Sequence, residues 1–305
     1  MKNLAAELEQ IENASVRQDE PLSKHTTIRI GGPAEWFVIP HSIEALKQTV
    51  AVAKAHQAPI FVIGRGSNLL VPDEGLSGVV IKLGKGLDHY KKDGNLVTVG
   101  GGYPFVKLAV MTSRDGLSGF EFAGGIPGSV GGAVYMNAGA HGSDVSRVLK
   151  EAHILFADGT MEWLSNEEMK FSYRTTVLQK ERPGICLEAR FQLKEGNAKD
   201  ITNEMKTYKT YRKNTQPYDS PCAGSIFRNP LPSYSGELIE KAGLKGFSIG
   251  GAQVSPMHAN FIVNIGDAKA EDVKAVIRHV QDTIFEKTGI QLQTEIEIIG
   301  TEVAH

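Results

Sequence analysis

Residues 116–142, GLSGFEFAGGIPGSVGGAVYMNAGAHG, constrain this 305-residue chain more than any other stretch. They are dense in glycine and almost uncharged, with Glu121 the only side chain that ionises at neutral pH apart from His141. Glycine loses more backbone freedom on folding than any other residue, and it lets a backbone approach a neighbour where a Cβ would collide. A segment that carries so many recovers that cost by binding. Successive backbone N–H groups suit an anion or a flat ring. An exposed glycine-rich loop is the alternative, but Phe120, Phe122, Ile126, Val130, Val134 and Met136 belong in a core.

Composition narrows the class. The length predicts two or three domains, and 41% hydrophobic with 22% charged residues is ordinary for a globular chain. A formal net charge of -2 gives no polybasic footprint, so nucleic acid is not an expected partner. No apolar run reaches the roughly 18 residues that cross a bilayer, and the acidic, amphipathic N-terminus is unlike a secretory signal. Cys186 and Cys222 are the only cysteines, with no CxxC, so neither a zinc site nor a disulfide framework is expected. The expectation is a cytoplasmic, metal-free protein without membrane insertion.

Along the chain, Leu4, Leu8 and Ile11 predict a short helix, and residues 36–39 a strand. Ser42 is placed to cap a helix with Ile43, Leu46, Val50 and Ala53 on its buried face. Residues 60–63 predict a second strand, followed directly by GRGSN. The dinucleotide fingerprint GxGxxG fails there, because Leu69 takes the third glycine position and Pro72 blocks a following helix. No GxxxxGK[ST] occurs either. What remains is a tight loop whose amides, with the Ser67 hydroxyl and the Asn68 amide, suit a phosphate. Further strands are predicted at 79–83 and 96–99, a helix at 103–115 closed by Gly116, and a hairpin of 148–156 with 160–164 about Ala-Asp-Gly. A strand at 185–193 and a polar linker, EGNAKD, lead into a helix at 201–213.

Beyond it, a Pro- and Ser-rich loop holds Ser225, after Gly224 and before Ile226 and Phe227. A short helix at 236–243, strands at 247–254 and 260–265, and a long helix at 271–287 stopped by Gly289 complete the pattern. The chain closes in a strand, TEIEIIG, whose alternation puts Glu295 and Glu297 on one face. Short strands with few helices give an α+β fold class. The residues alone thus reach two glycine-rich phosphate cradles and a smaller second domain, without a reaction.

Several runs together carry a resemblance: HTTIRIGGPAEWFV, GRGSNLLVPDEGLSGVVI, the segment 116–142, YRTT, AGSIFRNP, GLKGFSIGGAQVSPMHANFIVN and QLQTEIEIIG. In collinear order over nearly the whole chain, they resemble the UDP-N-acetylenolpyruvoylglucosamine reductases, flavoenzymes of the second committed step of bacterial peptidoglycan precursor synthesis. The resemblance implies an FAD-binding domain of the vanillyl-alcohol-oxidase (PCMH) type, in two subdomains, plus a smaller α+β substrate-binding domain. The subdomains would be 1–81 and 82–198, the latter joined by 290–305, with 199–289 for the substrate. Non-covalent FAD would lie against Gly64, Arg65, Gly66, Ser67 and Asn68, and against Gly124, Gly125, Ile126, Pro127, Gly128, Ser129 and Gly131, with Asn137 nearby.

NADPH is the implied co-substrate and UDP-N-acetyl-enolpyruvoylglucosamine the implied substrate. Reduced FAD would pass hydride from N5 to C3 of the enolpyruvyl ether, and Ser225 would protonate C2. Arg174 and Glu295 match the other two catalytic positions. Asn229, Arg212 and His258 are candidate contacts for the UDP-sugar. Gln293 and Thr294 depart from the family's usual Leu-Glu-Pro-Glu, and the short spacing from Arg174 to Ser225 resembles the family's shorter, second type. A catalytically idle flavin or nucleotide-sugar binder is a competing class, opposed by the retained Arg174, Ser225 and Glu295. An oxidase of the same superfamily is another, opposed by the GSIFRNP loop. A monomer or weak oligomer is expected.

Overall fold

The computed structural model of the chain describes residues 4–300. The chain divides into two compact units. The first takes the residues up to Gln18, then Trp36–Arg65 and Ser77–Tyr211; the second takes Asp19–Glu35, Gly66–Leu76 and the chain from Arg212 on. The loop 64–68 is therefore split, its first two residues in one unit and its last three in the other.

A four-stranded sheet, most of it in the first unit, has the order Ala14–Pro21, Pro33–Pro40, Leu76–Lys82, Ile60–Ile63. The last two strands are parallel, with Ile63 opposite Lys82. The helix Ile43–Ala55 covers this sheet. The Ser42 hydroxyl caps it, accepting from the Ala45 N–H at 3.1 Å. Its apolar stripe, Leu46, Val50 and Ala53, packs with Trp36, Val38, Val79 and Ile81.

A second, antiparallel sheet has the order Met161–Ser165, Leu149–Phe156, Gly184–Gln192, Leu96–Gly100, Tyr90–Asp93. The helices Phe105–Arg114 and Val130–Tyr135 share its core, where Phe120 meets Phe105 and Phe191 edge to face, at 5.7 and 4.9 Å between centroids. The aromatics of the glycine-rich segment are thus core residues, and that packing fixes the path of the loop between them.

The second unit is built on a four-stranded sheet, Cys222–Ser225, Phe261–Asn264, Ala252–Val254, Ser248–Ile249. The long helix Ala270–Thr288 buries Val273, Val276, Ile277, Val280 and Ile284 in its core and ends on Gly289 at φ +72°. Close to the C-terminus Glu297–Ile298 pairs in parallel with Leu69–Leu70.

Three expected elements differ. The single strand predicted for 247–254 is two strands folded back at Gly250 and Gly251, with Ile249 opposite Ala252. A Cβ on Gly251 would stand 2.3 Å from the Gly266 carbonyl oxygen, so the reversal needs glycine there. The polar run EGNAKD is not a linker. Lys194–Glu195 pairs with Leu117–Ser118, and the Asn197 side chain accepts from the amides of Lys199 and Asp200 at 2.9 and 3.3 Å, starting the helix Ala198–Thr215. The terminal strand is only Glu297–Ile298.

Candidate functional site

Gly64 ends the strand Ile60–Ile63 where the backbone meets Ser129. A Cβ on Gly64 would lie 2.4 Å from the Ser129 hydroxyl oxygen. That close approach brings the two glycine-rich loops together within the first unit. Ser129 caps the helix Val130–Tyr135 by accepting from the Gly132 N–H at 3.3 Å. The N–H groups of Val130 and Gly131 are spent on the carbonyls of Tyr103 and Gly101, both at 2.8 Å. The carbonyl of Gly128 accepts from Phe105 N–H at 3.0 Å. Among the described residues, the N–H groups of Gly128 and Ser129 have no acceptor in the chain. Ser129 is only 7% exposed. Buried amides are nearly always bonded, so the Ser129 N–H, with that of half-buried Gly128 beside it, fits an anionic oxygen brought by a ligand, as the diphosphate of FAD would supply. Gly124 is also tightly packed: a Cβ there would stand 2.4 Å from Met205 Cγ.

Asn137 is buried at φ +44°, and its amide is committed within the protein. Its Nδ2 donates to the Ser172 carbonyl and its Oδ1 accepts from the Ser146 N–H, both at 3.0 Å. It thereby fixes the turn carrying Arg174, where Ser172 and Thr175 exchange backbone hydrogen bonds. Arg174 holds φ +56°, a left-handed conformation uncommon for a long side chain. Its Nη2 donates to the Gly139 carbonyl at 2.6 Å and its Nη1 to the Asn137 carbonyl at 3.5 Å. The guanidinium also lies 5.1 Å from the Tyr173 ring centroid.

The second unit gathers the remaining candidates. Ser225 ends its strand opposite Phe261, half-buried, after Gly224 at φ +78°. Ile226 and Phe227 then plunge into the core. Their backbone is clamped from both sides. On one side the Ile226 N–H donates to the Asn260 carbonyl at 2.9 Å, the Phe227 N–H donates to Asn260 Oδ1 at 2.9 Å, and Asn260 Nδ2 donates to the Phe227 carbonyl at 2.8 Å. On the other, the Glu295 N–H donates to the Ile226 carbonyl at 2.7 Å and Arg228 N–H to the Gln293 carbonyl at 2.9 Å. Asn68 Nδ2 donates to the Glu295 carbonyl at 3.1 Å, and the Glu297 N–H donates to the Asn68 carbonyl at 2.9 Å. Asn68, Ser225 and Glu295 are thus neighbours in one hydrogen-bonded frame, and Asn260, which no sequence motif singled out, is its central tie.

Asn229 Oδ1 accepts from the Ser235 N–H at 3.1 Å, starting the helix Ser235–Lys241. His258 Nδ1 accepts from the Asn260 N–H at 3.2 Å, which leaves the ring proton on Nε2. Burial, then the Lys245 charge, pushes its pKa below the usual value. Arg212 opens the second unit's main segment, and its charge pulls the Cys222 thiol down against a larger upward push from burial.

Paired glycine loops with two amides that lack an acceptor among the described residues suit a flavin diphosphate, and the comparisons with known proteins put the chain in the class of FAD-binding oxidoreductases. A family model described as an FAD binding domain matches residues 34–165, which hold both glycine loops. One described as the UDP-N-acetylenolpyruvoylglucosamine reductase C-terminal domain matches residues 216–299, which hold Ser225 and Glu295. The UDP-N-acetylenolpyruvoylglucosamine reductase of Bacillus subtilis is 62% identical over 300 residues, 98% of this chain and 99% of that protein. The Halalkalibacterium halodurans enzyme of the same name is 58% identical over the same shares. The crystal structure of the Thermus caldophilus enzyme superposes with a TM-score of 0.80 at 37% identity, covering 93% of this chain and 98% of that one. The chain belongs to the UDP-N-acetylenolpyruvoylglucosamine reductase family, the MurB flavoenzymes.

Proposed function

We propose that this protein reduces UDP-N-acetyl-enolpyruvoylglucosamine to UDP-N-acetylmuramate at the expense of NADPH, in the cytoplasmic synthesis of peptidoglycan precursor. FAD, when bound, supplies the two-electron chemistry, taking electrons from NADPH and returning them to C3 of the enolpyruvyl ether. The amides of Gly128 and Ser129 would hold its diphosphate beside Gly64, with Arg65 supplying charge. The three-part division into residues 1–81, residues 82–198 with 290–305, and residues 199–289 is carried forward as a division of function.

Reduction at C3 leaves negative charge spread from C2 into the carboxylate, and the protein's own residues must answer it. Ser225 is assigned the proton delivered to C2. A hydroxyl is a weak acid, so it needs a rigid frame and a polarised substrate. The backbone clamp on Ile226 and Phe227 supplies the rigidity. Arg174, always cationic, is assigned to the substrate carboxylate, and Glu295 to polarising the enol. Asn229, Arg212 and His258 are assigned to the UDP-sugar.

The observation that carries this reading is the frame that ties Ser225 to Glu295 through the 2.7 Å bond from Glu295 N–H to the Ile226 carbonyl. A binder has no need to fix a serine against a glutamate in this way. The test is NADPH consumption by the purified, yellow protein. It should depend on the enolpyruvyl substrate and yield UDP-N-acetylmuramate mole for mole. Consumption unchanged by the substrate, or matched by oxygen uptake, would replace this reading with the oxidase or idle-binder class.

A further inference from the structure

The turn that carries Arg174 is held by a side chain outside every motif of the sequence. Gln179 lies in the short helix Val177–Lys180, half-buried. Its Nε2 donates to the Arg174 carbonyl at 3.1 Å and to the Tyr135 carbonyl at 3.0 Å, and approaches Met136 Sδ at 3.6 Å. Tyr135 is the last residue of the helix that Ser129 starts, so its carbonyl has no partner inside the helix. One amide therefore ties the end of the glycine-rich segment to the backbone of the arginine. Thr176 joins the same point, its hydroxyl donating to the Tyr135 carbonyl at 2.8 Å.

The conformation being held is costly. A non-glycine residue in the left-handed region costs roughly 1–3 kcal/mol and persists only where neighbours over-determine it. Arg174 sits there at φ +56°, between its own side-chain bond to the Gly139 carbonyl and the Gln179 bond to its backbone. Asn137 secures the turn one step away, at Ser172. Gln179 grips the arginine's own peptide.

We propose that Gln179 is a positioning residue for Arg174: its amide sets the peptide that aims the guanidinium at the substrate carboxylate. This rests on the assignment of Arg174 to the reaction. A guanidinium displaced by about 1 Å can lower a rate by about 100-fold. Loss of the donor should therefore appear in reduction of the sugar nucleotide and not in reduction of the flavin by NADPH.

The test compares Gln179→Met, which keeps the length and lacks the donor, with Gln179→Glu, Arg174→Ala and the double variant Arg174→Ala/Gln179→Met, all as the FAD-loaded protein. Stopped-flow absorbance of the flavin reads the two half-reactions separately. Gln179→Met should reduce its flavin with NADPH within about twofold of the parent. It should pass electrons to the enolpyruvyl substrate 10- to 100-fold more slowly. The double variant should be no more than about threefold slower than Arg174→Ala, because a displaced arginine and an absent one lose the same contact.

Gln179→Glu gives a second readout. Its carboxylate repels both carbonyls, whereas its protonated form regains one donor. Its rate relative to the parent should rise by about 1.5- to 7-fold from pH 8 to pH 5.5, since a carboxyl of ordinary pKa is about 6% protonated at the lower pH. Where Gln179→Met yields no flavin-loaded protein, that pH ratio decides. Arg174→Ala at parental rate would overturn the assignment of Arg174 itself. Arg174→Ala slow with Gln179→Met within threefold of the parent would overturn only the role of Gln179. So would losses that add fully in the double variant, or a flat pH ratio.

Discussion

The Glu295 N–H donates to the Ile226 carbonyl at 2.7 Å, so Glu295 is fixed one peptide from Ser225 although the two stand 70 positions apart in sequence. The bond is made by the two backbones and uses neither side chain. With Asn68 donating to the Glu295 carbonyl, the frame has little freedom to drift.

Ser225→Ala should leave reduction of FAD by NADPH near the parental rate. It should slow transfer to the enolpyruvyl substrate by about 10²–10⁴-fold, the usual worth of a positioned acid. The backbone clamp does not involve the hydroxyl, so folding should be unaffected. Rapid-mixing kinetics of the two half-reactions check this. A variant within about tenfold of the parent in the second half-reaction would remove Ser225 from the role of proton donor.

Asn260→Ala should destabilise the second unit. The Asn260 amide satisfies both the N–H and the carbonyl of Phe227, which is 2% exposed. Removing it strands two buried backbone groups at about 1–3 kcal/mol each. Chemical denaturation followed by circular dichroism should show a midpoint lowered by an amount of that order, with the slope unchanged. A midpoint equal to the parent's would mean that water enters and replaces the amide.

How much was legible in the sequence follows from the kind of signal each feature leaves. The helices Ile43–Ala55, Phe105–Arg114 and Ala270–Thr288 announced themselves through periodicity and caps, and the hairpin through its Ala-Asp-Gly. The glycine loops were visible because unusual composition is local. Gln179 and Asn260 left no such mark. Gln179 bonds carbonyls 5 and 44 residues away and Asn260 one 33 away, and a glutamine or asparagine that bonds a backbone carbonyl outside any regular pattern looks like any surface polar residue. The reversal at Gly250 does leave a mark: Gly-Gly is a hairpin signal, and the apolar alternation changes phase across it, from Phe247 and Ile249 to Ala252 and Val254, as a single strand would not. EGNAKD read as a linker because the residues that cap a helix are those that fill loops.

His258 makes stability depend on pH in a defined direction. Its folded-state pKa lies below the usual value because of burial and the Lys245 charge. As pH falls through about 6.5, the ordinary histidine value, the unfolded chain takes up the proton before the folded one. Stability is therefore full above that pH and declines below it, until the folded pKa is passed. Glu240, paired with Lys245 at 2.6 Å, pulls the other way as a smaller effect. The drop in urea midpoint between pH 8 and pH 5.5 should be smaller in His258→Gln than in the parent. An equal drop in both would assign the acid sensitivity to other groups.

Gly64→Ala should disturb both the cap on the helix Val130–Tyr135 and the binding of FAD. The new Cβ would stand 2.4 Å from the Ser129 hydroxyl oxygen, far inside contact distance. The hydroxyl would have to swing away from the Gly132 N–H, giving up a cap worth about 1 kcal/mol. The amides of Gly128 and Ser129 would shift with it, and FAD affinity measured on the stripped protein should fall at least tenfold. Ser129→Ala by itself gives up the same cap but keeps the Ser129 N–H. In the double variant Gly64→Ala/Ser129→Ala the offending oxygen is gone. The nearest neighbour of the added Cβ is then the Cβ of residue 129 at 3.5 Å, an ordinary contact. The double variant should therefore match Ser129→Ala in both stability and FAD affinity, a coupling of about 1 kcal/mol rather than a sum. Flavin titration and thermal unfolding of the four proteins measure it. Strictly additive losses would mean that Gly64 is needed for its backbone freedom and not for its closeness to Ser129.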